Sequence, residues 1–142
     1  MNHAEQKEWT DRPKYQNGLL AYDLWASLFE KGAMIIEAGK GNNINPDIWD
    51  FATYYAGHHY SARCYAREYL KSIAKGNDLI TQSASCYEMV SSSLKTVWDY
   101  FSQNQQVDAN LLYALSESIK SIKRAKIAEE DGINFIKEYL AK

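Results

Sequence analysis

The sequence predicts an all-α fold: an up-and-down antiparallel bundle of four long helices, with one extra short helix allowed. Three observations lead there. Apolar residues recur at three- and four-residue spacing over long stretches, as on helices that bury one face. Nowhere does the two-residue alternation of a half-buried strand rise above that pattern. The patterned stretches are joined by short links, with two prolines and seven glycines in 142 residues, and short links make consecutive helices antiparallel neighbours.

Residues 1–15 are polar, include Pro13 and are expected to form a leader or linker, held only where Trp9 or Tyr15 docks. Residues 16–142 are expected to form a single bundle domain. In GLLAYDLWASLFEKG, Tyr22, Trp25, Leu28 and Phe29 fall on one face, and Gly32 is the expected C-terminal stop. AMIIEAG then either extends that helix or forms a short second turn. GKGNNINP, with Gly39 and Gly41, is a loop.

Asn45-Pro46 should start the second long helix. Asn accepts backbone N–H bonds as N-cap, and Pro at the first position forfeits none. Asp47 and Asp50 suit the positive end of the helix dipole. The helix is expected from about Pro46 to about Lys75, with Ile48, Ala52, Tyr55, His59, Ala62, Ala66, Leu70 and Ile73 as its buried stripe. Gly57 inside it costs about 1 kcal/mol against Ala and suggests close approach by another helix. Lys75-Gly76-Asn77-Asp78 closes this helix and caps the next. That third helix has Leu79, Ser83, Cys86, Val90, Leu94, Val97 and Phe101 as its stripe, flanked by Tyr87 and Trp98. After SQNQQVD the fourth pattern runs from Ala109 to near Leu140. Arg124, Lys126, Glu129, Glu130 and Asp131 interrupt its apolar stripe, and Gly132 is placed to end or bend it.

Composition narrows the functional classes. Hydrophobic residues make up 46% and charged residues 24%, which suits a folded globular domain. A formal charge of −2 gives no electrostatic case for nucleic acid. No window approaches the roughly 18 apolar residues of a membrane span, and MNHAEQKEWT lacks the apolar core of a secretory signal. Cys64 and Cys86 show no paired spacing, so free thiols in a cytoplasmic protein are the simpler expectation.

The segment YYAGHHYSARCYAREYL, residues 54–70, sets two histidines and two arginines into an aromatic, alanine-rich helix. His58 and His59 point about 100° apart and do not share an ion readily; the remaining histidine is His3. No metal or other cofactor is therefore expected. Cys64, Cys86 and Ser91-Ser92-Ser93 lie within helices, without the surroundings of an activated nucleophile. GKGNN lacks the spacing of a phosphate loop. His59 lies on the apolar stripe, either as a satisfied core group or as a ligand. Arg63 and Arg67 either cover the bundle with their heads in water, or Arg63 pairs with a carboxylate on another helix, Glu129 before Glu88. A two-pronged bridge of that kind would fix helix register or wall a polar pocket. Trp25, Tyr55, Tyr65, Tyr87 and Trp98 are expected to share one partly polar core.

Four segments together, GLLAYDLWASLFEKG, YYAGHHYSARCYAREYL, LITQSASCYEMVSSSL and AKIAEEDGINFI, resemble a helical module of bacterial proteins of the butirosin biosynthesis protein H type and related C39-peptidase-like proteins of unknown function. The resemblance rests on Gly18, Ala21, Tyr22 and Trp25; on Arg63, Ala66, Tyr69 and Leu70; on Tyr87; and on Ala125 and Glu129. It spans most of residues 16–140. It implies a helical domain that accompanies a papain-like catalytic domain, and it carries over no catalytic residue. The chain would then be a piece of a longer protein or a free-standing relative.

The resulting expectation is a non-enzymatic helical module that binds a small ligand or a catalytic partner domain. Its candidate site is Trp25, Tyr55, His59, Arg63, Tyr87 and Glu129. The alternative is a protein–protein interaction or immunity-like accessory subunit acting through an exposed apolar patch, with Tyr100, Tyr113 and Tyr139 as candidates. An enzyme using His59 as acid or base is the third reading. Neither nucleic acid nor membrane is an expected partner, and any homodimer should pair symmetrically through an exposed helix face.

Overall fold

The computed structural model describes residues 18–102, 107 and 109–142; the expected leader and the docking of Trp9 or Tyr15 lie outside them. Among the described residues there is no strand, and four long helices pack into a bundle. Helix α1 is Leu20–Glu37. Helix α2 spans residues 47–74 as an α-turn Asp47–Trp49, a π-helical stretch Asp50–Tyr55 and an α-helix Ala56–Ala74. Helix α3 is Asp78–Ser102 and α4 is Ala109–Ala141. A 3₁₀ turn, Gly41–Asn43, lies in the link between α1 and α2.

Each helix runs antiparallel to its neighbours. Asp23 and Glu30 of α1 reach Lys126 and Lys123 of α4 in reverse order. Ser83 Oγ donates to the Gly132 carbonyl at 2.8 Å near one end of the α3–α4 pair, and Tyr100 meets Tyr113 edge to face near the other. Trp98 of α3 lies against Gly57 near the start of α2. Leu70 from the far end of α2 shares a small cluster with Ile80 and Ala84. The main core is centred on Phe29, Ile48, Val90, Leu94, Phe101, Leu115 and Ile122.

Several local expectations hold. Asn45 Oδ1 accepts the Asp47 N–H at 2.9 Å and starts α2. Lys75 and Gly76 take the left-handed conformation that ends it, and Asn77 Oδ1 accepts the Ile80 N–H at 3.1 Å to cap α3. Gly57 does face another helix, at the Trp98 indole, but an added Cβ would lie 3.5 Å from it, an ordinary contact that does not require glycine.

Others are corrected. Gly32 does not stop α1, which runs on to Glu37 and ends before Gly39, where φ is +74°. Gly32 is instead buried against Ile48, whose Cδ1 would lie 2.6 Å from an added Cβ. Gly132 likewise leaves α4 unbroken, because it serves close packing against α3. The stripe of α2 is displaced by its π stretch. A π turn holds more residues than an α turn, so burial steps from Ala52 to Ala56 instead of Tyr55. One turn on, Ala62 faces solvent while the Arg63 side chain is 20% exposed. Ile73 is also exposed, as are Tyr65 and Trp98, so those two aromatics leave the core expected for them. Exposed Tyr113 meets half-buried Tyr100 near one end of the bundle while exposed Tyr139 lies near the other, so the three do not form one patch.

The helices differ in reach. At 1.5 Å per residue, α1 is roughly 27 Å long and α4 roughly 50 Å for their 18 and 33 residues. Since Tyr22, in the first turn of α1, lies level with Glu129, α2 and α4 both continue beyond the start of α1.

Candidate functional site

The six candidate residues come together. Arg63 of α2 crosses to Glu129 of α4 with two parallel bonds, Nε to Oε1 at 3.0 Å and Nη2 to Oε2 at 2.9 Å. Tyr22 of α1 donates its hydroxyl to Oε1 of the same carboxylate at 2.5 Å. The Trp25 ring stands edge to face on Tyr22 at 5.9 Å and on His59 at 5.4 Å. Phe51 links Trp25 to Tyr55, on which it stacks at 4.8 Å. Tyr87 of α3 lies against Gly132, one turn beyond Glu129. Arg67, by contrast, stays at the surface and bonds Glu68.

The polar groups of Arg63, Glu129 and Tyr22 are turned to one another. Glu129 is only 6% exposed, so its charge depends on the arginine and the phenol. Burial depresses the Arg63 guanidinium, but the bonds and charge of Glu129 outweigh it and hold its pKa above the usual value. Burial first, then the Glu129 charge and hydrogen bond, raise the Tyr22 phenol well above its ordinary range. Burial and the Glu129 charge push Tyr87 the same way. His59 is lowered from 6.5 to about 4, by burial first and by the Arg63 charge second, so its imidazole is neutral at pH 7. The arrangement ties three helices. Both bonding edges of the Glu129 carboxylate are engaged, and Tyr22 holds its proton firmly. No set of three or more His, Cys, Asp or Glu side chains is placed to hold a metal among the described residues.

A concavity lies one turn away. Beyond the first turn of α1, α2 and α4 frame a groove of about 310 Å³ whose floor includes Ile80 of α3. Ala66, Leu70 and Ile73 line one wall and Ile136, Tyr139 and Leu140 the other, with Tyr69 at the rim. Tyr87 is the one candidate residue that reaches it. On α2 the groove stripe 66, 70, 73 continues directly from Arg63, so the ion pair and Tyr22 stand at its inner end. The rim is conspicuously apolar for a surface: Tyr69 is 65% and Leu140 73% exposed.

Residue-by-residue reading of the sequence missed Tyr22 and the groove. Tyr22 carried a signal, since a tyrosine on a buried stripe needs a partner for its hydroxyl. The groove carried one too, in the shortness of the first apolar pattern beside the other three. Compared with protein families, with characterised proteins and with solved structures, the chain matches none.

Proposed function

We propose that the chain is a non-enzymatic helical module that binds an apolar helical segment of a partner protein in the groove between α2 and α4. One observation carries the reading. Helix α1 occupies the space between α2 and α4 as far as Tyr22, and past that point the same two helices go on presenting apolar side chains that no described residue covers. A partner helix there would extend the line of α1 and complete a four-helix cross-section, the helix-in-groove mode of recognition. The surface that receives α1 is itself the evidence for what its continuation accepts.

Two further points support it. At the inner end Arg63, Glu129 and Tyr22 spend their polar groups on one another, which suits a fixed wall more than a reacting centre. Residues that carry the resemblance to the helical module fall on both features: Tyr22, Trp25, Arg63 and Glu129 in the cluster, Ala66, Tyr69, Leu70 and Tyr87 in the groove. On that resemblance the partner would be a papain-like catalytic domain. In this groove a small ligand is less well served, because about 310 Å³ is at the lower edge of the roughly 300–1,000 Å³ of ordinary ligand pockets.

The test is selection from a displayed library of amphipathic helices against the purified chain. Enriched binders should carry large apolar residues at helical spacing and lose binding on Ile73→Arg or Leu140→Arg. Failure to enrich, or binders indifferent to both substitutions, would overturn the reading.

A further inference from the structure

A second groove, of about 650 Å³, runs along the outer side of α3 and α4 and shares no lining residue with the first. Its apolar part is made by Cys86 and Met89 of α3 and Ile127 of α4. Met89 is 46% and Ile127 60% exposed, although each lies next to well-buried neighbours, Val90 and Ala128. Lys120, Lys123 and Arg124 stand at one end, and Asp131 at the other. Along α4 the order is therefore cation, apolar, acid. From Arg124 to Asp131 the helix rises roughly 10 Å, about two turns.

We infer that this groove binds an amphipathic helix of a partner protein that carries acidic residues at one end of its apolar stripe and a basic residue at the other. The positive end is available. Arg124 makes no ion pair or hydrogen bond among the described residues. Lys120 is held by Glu117 at 3.5 Å and Lys123 by Glu30 at 3.0 Å, with both lysines exposed. Pairs of that kind contribute little and exchange readily for another carboxylate. A chain with a formal charge of −2 that gathers three cations beside an apolar strip has a local preference for an acidic partner.

Asp131 decides between a helix and an acyl chain. A fatty acid with its carboxylate at Arg124 would lay its tail toward the Asp131 carboxylate, which offers no apolar surface. A helix two to three turns long can meet Arg124 with glutamates, Met89 and Ile127 with leucines, and Asp131 with a lysine. Burial and the Asp131 charge both raise the Cys86 thiol, so it stays protonated and serves as an apolar wall.

The inference does not rest on the α2–α4 groove, and its test uses different variants. The probe is a fluorescent synthetic helix with two glutamates in its first turn, leucines at helical spacing and a lysine in its last turn. Its anisotropy should show saturable binding that weakens as salt rises. Arg124→Glu, at an exposed and unpaired position, should weaken binding about tenfold without changing the fold. A peptide with lysines in place of the glutamates should bind that variant better than it binds the wild type. Ile73→Arg and Leu140→Arg should leave binding unchanged. Equal binding of the acidic and basic peptides to the wild type, or none at millimolar concentration, would overturn the inference. So would laurate or anionic vesicles binding in an Arg124-dependent way where the peptide does not.

Discussion

Arg63 and Glu129 face each other across the bundle, from α2 to α4, in a two-pronged pair that Tyr22 completes from α1. Three helices are thus fixed to one carboxylate that is 6% exposed. Removing one partner of such a pair leaves the other charge buried and uncompensated. Arg63→Ala should therefore destabilise the chain by about 3–5 kcal/mol. Replacing both, as Arg63→Met with Glu129→Leu, should recover most of that loss or exceed it, since well-packed apolar groups need no desolvation. Tyr22→Phe removes one hydrogen bond to a charged acceptor and should cost about 1.5–3 kcal/mol. Urea unfolding of the four proteins checks all three expectations.

His59 gives the fold a pH dependence. Its pKa falls from 6.5 in the unfolded chain to about 4 in the folded one, because burial beside Trp25 and the Arg63 charge both disfavour the imidazolium. The unfolded chain therefore binds the proton first. Stability is retained above pH 6.5 and lost as pH falls toward 4, by an amount on the order of 2–3 kcal/mol. His59→Phe should flatten the decline over that window relative to wild type. Thermal unfolding at pH 7 and pH 4.5 measures it; equal slopes for the two proteins would place the imidazole in water.

Two glycines should respond to alanine in opposite directions. At Gly132 a Cβ would come within 3.1 Å of Tyr87 Cε2 and 3.2 Å of Cys86 Cβ, and the second of these sits on the α3 backbone and cannot turn aside. Gly132→Ala should push α3 from α4 and lower stability by about 1 kcal/mol or more, despite the better helix propensity. At Gly57 the nearest atoms, of the Trp98 indole, are 3.5 Å away, which is ordinary contact. Gly57→Ala should raise stability by about 0.5–1 kcal/mol. Denaturant midpoints of both variants decide this.

These particulars show what the sequence made legible. Periodicity and capping residues were sufficient for the helices, because Asn45 and Asn77 act locally on the first turns that follow them. The Arg63–Glu129 pair was also within reach, since an arginine on an otherwise apolar helix and a carboxylate in the charged gap of another each need a partner. The displaced stripe was not. The π stretch Asp50–Tyr55 displaces the stripe in the turns that follow, to Ala56 and Arg63, before it returns to Ala66 and Leu70, and nothing in DFATYY distinguishes it from an α turn. The roles of Gly32 and Gly132 were misread for a related reason: a glycine that ends a helix and one that lets two helices touch look alike until the second helix is in place. The groove was hidden because it arises from relative helix reach, which no single stripe records.

The measurement that bears most directly on the account is the affinity of one library-selected helix for three proteins: wild type, the Arg63→Met/Glu129→Leu pair and the Ile73→Arg/Leu140→Arg pair. If the buried cluster is a tie and the neighbouring groove the docking surface, the first pair folds and binds within a few-fold of wild type, while the second folds and does not bind. Loss of binding in the first pair with retention in the second would contradict the account and return the binding site to the Arg63 cluster.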